Sequence, residues 1–135
     1  MRTCAAMSSA QFPFVTFVRA PIVSTANAVN NEATPSIAFA YLSAYIRNRG
    51  YRFAIVDGIA SGLNRVWPLP EYPGYQCHGL TFEEILARVP QDTAVLAFSA
   101  MFSGEWPILR DLIKRARQKF PRALFVVGGE EPGRL

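Results

Sequence analysis

The fold turns on one stretch, Ala94-Val95-Leu96-Ala97-Phe98, which runs straight into Ser99-Ala100-Met101-Phe102-Ser103. The first five residues are apolar without interruption. A strand with one wet face alternates apolar and polar residues; an unbroken run suits a strand covered on both faces, which usually means a parallel sheet. Three other runs share this character: Phe14-Val15-Thr16-Phe17-Val18, Phe53-Ala54-Ile55-Val56 and Leu124-Phe125-Val126-Val127.

Helical patterns separate the four runs. The first starts with Thr34 as cap and Pro35 at the first helical position, where its fixed φ fits. Phe39, Leu42 and Ile46 then share a face, and Gly50 supplies a left-handed stop. The second is short: Thr81 and Glu84 form a capping box, Ile85 and Val89 give an apolar side, and Pro90 ends it. The third begins near residue 105, carries Leu109, Leu112, Ile113, Ala116 and Phe120 at helical spacing, and stops at Pro121. The order strand, helix, strand, helix, strand, helix, strand predicts an α/β fold, an open doubly wound parallel sheet.

Composition agrees with one domain. The chain has 135 residues, 50% hydrophobic and 18% charged, enough apolar material for a core. Its net charge of +4 is mild and falls short of a polybasic nucleic-acid arm. No apolar run approaches the roughly 18–20 residues of a membrane span, and residues 1–12 have no signal-peptide core. Cys4 and Cys77 make neither a disulfide framework nor a zinc site, so a reduced cytoplasmic protein is expected.

Residues 1–12 read as a tail and 13–135 as the domain. Two connections, 19–33 and 57–80, far exceed the usual loop of about 2–6 residues. The second holds Trp67, Pro68, Pro70, Tyr72, Pro73 and Tyr75, aromatics that need cover from this domain or from a partner. Only Gly128-Gly129 and six residues follow the fourth strand, where a doubly wound domain normally continues. The expectation is a sheet truncated after its fourth strand, a fragment or a subunit completed by another chain.

Several chemistries are weakened directly. Residues 19–24 carry no glycine, so the G-x-G-x-x-G dinucleotide turn is absent, as are G-x-x-x-x-G-K-[ST] and G-x-S-x-G. Cys77-His78 reads as a loop coincidence rather than a catalytic pair. What survives is a crevice beyond the carboxyl ends of the strands. Loop 19–33, residues Ser99, Ala100, Met101, Phe102 and Ser103, and Gly128-Gly129-Glu130 converge there. Hydroxyls beside apolar side chains suit a large, mostly apolar ligand with a few polar handles.

These residues also carry a resemblance. Ser99-Ala100-Met101, then residues 102–127, then Gly128-Gly129 resemble the S-x-L and G-G elements of the cobalamin-binding domain, with Met in place of Leu. The D-x-H-x-x-G loop of that family has no counterpart in Ser24-Thr25-Ala26-Asn27-Ala28-Val29-Asn30-Asn31-Glu32. The chain resembles the amino-terminal domain of cobalamin-dependent radical SAM proteins, where that loop is typically absent. Residues 34–47 resemble the subfamily's P-x-G-L-A-Y-L-A-A-Y-L-R helix, residues 80–85 its short second helix, and residues 101–107 the segment after its third strand. Gly128-Gly129-Glu130 resembles its G-G-E.

The resemblance covers roughly residues 13–131 and implies a flavodoxin-like, Rossmann-like cobalamin-binding fold. It implies a slot for the cofactor's nucleotide tail lined by Ser99, Ala100, Met101, Phe102, Ser103, Gly128, Gly129 and Glu130, with Asn30 near the corrin's lower face. No histidine ligand to cobalt comes from the usual loop, and no metal ligand is assigned. An iron–sulfur cluster and S-adenosylmethionine would belong to a radical SAM domain, in cis or on a partner chain, because Cys4 and Cys77 cannot form C-x-x-x-C-x-x-C. The expected role is a cofactor module of such an enzyme, some of which are methyltransferases, with no catalytic residue in this chain. The alternative is a non-catalytic α/β interaction subunit or truncated remnant that binds no cobalamin. Neither nucleic acid nor membrane is an expected partner: Arg110, Lys114, Arg115, Arg117 and Lys119 lack an aromatic stacking platform and read as a solvated helix face.

Overall fold

The computed structural model describes residues 12–28 and 34–129. Four strands form one parallel sheet: β1 (Phe14–Arg19), β3 (Phe53–Asp57), β6 (Thr93–Ser99) and β7 (Leu124–Gly128), in the order β3-β1-β6-β7. These are the four apolar runs of the sequence. Chain direction across the sheet reverses at β1, since β3 lies on one side of it and β6 and β7 on the other.

That reversal sends the helices to opposite faces, because crossovers of one hand in opposite directions pass over opposite sides. Helix α1 (Ile37–Arg47) joins β1 to β3; α2 (Phe82–Arg88) and α3 (Trp106–Lys119) serve the other direction. Side-chain alternation confirms the split. Phe17 meets Phe39 of α1, ring centroids 5.3 Å apart. Val18, its neighbour, belongs to the main core with Ile85 of α2, Leu109 and Leu112 of α3, and Leu96 and Phe98 of β6. Buried Thr16 and Thr93 satisfy each other, their Oγ1 atoms 2.8 Å apart.

Three local expectations need correction or extension. The first helix is capped by Ser36, not Thr34: the Phe39 N–H donates to Ser36 Oγ at 3.4 Å, and Pro35 lies before the cap. The Thr34 carbonyl instead accepts from Arg19 Nη1 at 2.7 Å. The helix does end toward Gly50, whose φ is +86°. Finally, the two long connections are not plain loops. They contain β2 (Ile22–Thr25), β4 (Val66–Pro68) and β5 (Tyr75–His78), which form an antiparallel sheet in the order β2-β5-β4. Pairing the two excursions satisfies backbone groups that a bare loop would leave to solvent. Pro68 is tolerated because β4 is an edge strand.

This small sheet settles where the aromatics go. Trp67 packs edge-on against Phe82 and donates from Nε1 to the Gly79 carbonyl at 3.2 Å, and Trp67 and Tyr72 both lie against the main core. Tyr75 remains half-exposed. The basic residues of α3 are partly tied to their own domain: Arg117 lies 3.7 Å over the Phe125 ring and Lys119 donates to the Leu86 carbonyl at 2.8 Å. Among the described residues no helix is long and apolar enough to cross a membrane.

The α2 capping box is complete. The Glu84 N–H donates to Thr81 Oγ1 at 3.3 Å, and the Thr81 N–H donates to Glu84 Oε2 at 2.9 Å. The Arg65 guanidinium, first, and the Thr81 backbone, second, hold the Glu84 carboxyl down to about 2 from its ordinary 4.5. A carboxylate depressed in the fold stabilises it above the ordinary value, and that contribution disappears as pH falls through the folded value. Glu84→Gln should therefore lower Tm at pH 7. The gap to the native protein should narrow as the pH is taken from about 4.5 toward 2, followed by circular dichroism melts across that range.

Candidate functional site

Open α/β sheets bind ligands beyond the carboxyl ends of the strands, where strand order reverses. In this chain that point is the β1/β6 boundary. The register pairs Val18 with Phe98 and Arg19 with Asp57, so Arg19, Asp57 and Ser99 all stand at the carboxyl edge, on the α1 side of the sheet. A cleft of ≈ 310 Å³ opens there, close to the lower end of the roughly 300–1,000 Å³ usual for small-molecule sites.

One wall is the segment leaving β6: Ser99, Ala100, Met101 and Phe102, with Glu105 of the following 3-10 turn. The opposite wall is residues 34–38, the approach and first turn of α1. Arg19, Ala20 and Ile22 contribute from the end of β1 and the start of β2. The lining is mainly apolar, with Arg19, Thr34, Ser36, Ser99 and Glu105 as its polar residues. Met101 and Phe102 are 45% and 59% exposed, so the mouth carries accessible apolar surface.

The nominated residues divide into groups. Ser99, Ala100, Met101 and Phe102 share the cleft. Ser103 begins the 3-10 turn, outside the lining, and is exposed. Gly128 ends β7, and its carbonyl accepts from the Ala100 N–H at 2.7 Å. Gly129 has φ +129°, and a Cβ there would lie 2.1 Å from the Ala100 carbonyl oxygen. Gly129 thus lets β7 approach the Ala100 backbone behind the cleft wall, whereas a Cβ on Gly128 would meet nothing within 4 Å. Asn30 and Glu130 lie outside the described residues.

Residues 34–38 and Leu109 were missed as cleft residues, and within loop 19–33, which the sequence places at the crevice, Arg19, Ala20 and Ile22 were not singled out. Testing that stretch only for glycines passed over the arginine.

The remaining reactive groups lie elsewhere. Cys77 is fully buried, and burial, first, with Glu105 second, pushes its thiol up to about 12. Strand alternation aims His78 at the opposite face of the small sheet, where Nε2 is 2.8 Å from Ser24 Oγ and 3.2 Å from Gln76 Nε2. The two adjacent residues therefore form no Cys–His pair. Among the described residues no group of three His, Cys, Asp or Glu side chains could hold a metal ion.

Comparison of the chain with protein-family models, with curated proteins and with solved structures gives no match in any of the three. The site is therefore read from its own geometry.

Gly129→Ala should destabilise the domain. The strained backbone alone costs about 1–3 kcal/mol, and the contact with the Ala100 carbonyl adds to it. Urea unfolding measures the loss. A wild-type midpoint in that variant would contradict the close β6–β7 approach.

Proposed function

We propose that this domain is a corrinoid-binding module that takes the nucleotide tail of cobalamin into the β1/β6 cleft. The observation that carries the reading is the convergence of Ser99, Ala100, Met101 and Phe102 with the α1 approach on one mainly apolar cleft at the reversal point. Its volume suits a bicyclic aromatic base and excludes a corrin ring, which would lie over the exposed Met101 and Phe102. The residues present fit such a tail: apolar walls for the base, and Ser99 and Arg19 for its polar groups.

Bound cobalamin supplies a cobalt–carbon bond able to carry a methyl group. This chain's part is to bind and orient. Ser99 offers a hydroxyl at the floor, and Ala100 is held by Gly128 and Gly129 from behind. No histidine lines the cleft, and the His78 imidazole is occupied on the small sheet. A lower imidazole ligand to cobalt is therefore not offered here. The reading assigns the radical SAM domain, its iron–sulfur cluster and its S-adenosylmethionine to another domain or a partner chain. It places the protein in the cytoplasm, where the Cys77 thiol stays reduced.

A second reading, an interaction subunit that binds no corrinoid, is favoured by one observation. Leu124 and Val126 leave apolar surface uncovered on the α1 side of β7, at 62% and 46% exposure.

Titration of the 135-residue protein with hydroxocobalamin, followed by absorbance and calorimetry, separates them. Saturable one-to-one binding with a base-off spectrum is expected. Ala38 is exposed and lines the cleft, so Ala38→Trp should fill it and weaken binding about tenfold or more while Tm holds. An unchanged Kd in that variant would move the site elsewhere. No binding by folded wild-type protein favours the interaction subunit.

A further inference from the structure

Among the described residues Arg19 is the one cation on the cleft lining, and it borders a second cleft as well. That neighbour, ≈ 270 Å³, lies between Phe39 and Ala40 of α1 and Ile55 and Asp57 of β3. The guanidinium and residues 34–36 stand between the two cavities. Among the described residues Arg19 is held through Nη1, which donates to the Thr34 carbonyl at 2.7 Å and lies 3.5 Å from Asp57 Oδ2. Nε and Nη2 have no partner among the described residues. Asp57 is better satisfied, since its Oδ1 accepts from the Ile59 and Ala60 N–H groups at 2.9 and 3.1 Å. The pair is thus a loose one, with three guanidinium protons unpartnered among the described residues beside a mainly apolar pocket. Glu105 is the other ionisable residue of the first cleft's lining among the described residues.

The geometry points to Arg19 as the anion anchor of this cleft, holding the phosphodiester of the bound nucleotide tail while the base occupies the apolar side. This rests on the corrinoid reading above and names the residue that discriminates tailed from tail-less ligands. Guanidinium suits the task because its planar fork meets two phosphate oxygens at once, and its charge never titrates away. Asp57 opposes the anchor by part-neutralising it. It also orients it, because Arg19 and Asp57 are register partners on adjacent strands.

Opposite signs at the two positions distinguish anchoring from a merely structural pair. Hydroxocobalamin is titrated into wild type, Arg19→Gln and Asp57→Asn, each at low and high salt, with Tm recorded for every protein. Arg19→Gln should weaken binding about tenfold, the order lost with one charged hydrogen bond, and flatten the salt dependence. Asp57→Asn keeps an acceptor oxygen for Ile59 and Ala60 while freeing the guanidinium, and should tighten binding severalfold. Wild-type affinity in Arg19→Gln overturns the anchor and leaves the corrinoid reading intact. So does parallel weakening in both variants with a fall in Tm, which marks the pair as structural. Failure of the folded wild type to bind overturns both readings together.

Discussion

Placing β1 between β3 and β6 fixes nearly everything else. A first strand at the centre forces the chain to cross the sheet in both directions, so helices cover both faces. It also opens a gap at the carboxyl edge, because the connections leaving β1 and β6 diverge there. The same position explains the second sheet. The long excursions after β1 and β3 leave from one edge, side by side, and each carries backbone groups that need partners. Antiparallel pairing of β2 with β5 supplies them. The approach of Gly79 to Gly58, where a Cβ would lie 2.3 Å from the Gly58 oxygen, brings the excursion back to its origin before α2 begins.

Which parts were legible in the sequence follows from the strength of each local signal. Four unbroken apolar runs and the Thr81–Glu84 capping box are strong because burial and backbone satisfaction act at short range. The strands of the small sheet span three or four residues, and their polar members, such as Ser24, Gln76 and His78, make poor apolar runs. Their pairing is decided by tertiary proximity that no local pattern encodes. The α1 cap shows a similar limit. Thr34 and Ser36 are equivalent cap residues by type, and the choice fell to Ser36, with the Thr34 carbonyl bound to the distant Arg19.

The candidate site was half legible for a related reason. Residues after β6 read as a site because hydroxyls and exposed apolar groups follow a buried strand. The glycines were visible too, but their role is different in kind. Gly129 faces the Ala100 backbone, so it shapes the wall behind Ala100. The cation of the described lining comes instead from the end of β1, where Arg19 stands and the local sequence carries no motif.

Covering a parallel sheet is also a matter of width. A helix is about 10 Å across and strands are about 4.8 Å apart, so one helix covers about two strands. Helices α2 and α3 thus suffice for one face of the four-stranded sheet. On the other face α1 is the one helix among the described residues, over β1 and β3, and Leu124 and Val126 of β7 stay exposed. The cleft lies where the covered half meets the bare half, since its walls come from the α1 approach and from the segment leaving β6. Any surface that covered Leu124 and Val126 would lie beside that wall. It would exclude water from the apolar sheet and from the cleft in one step. Covering this face and binding a ligand in the cleft are therefore physically linked, because each removes water from surface that borders the other.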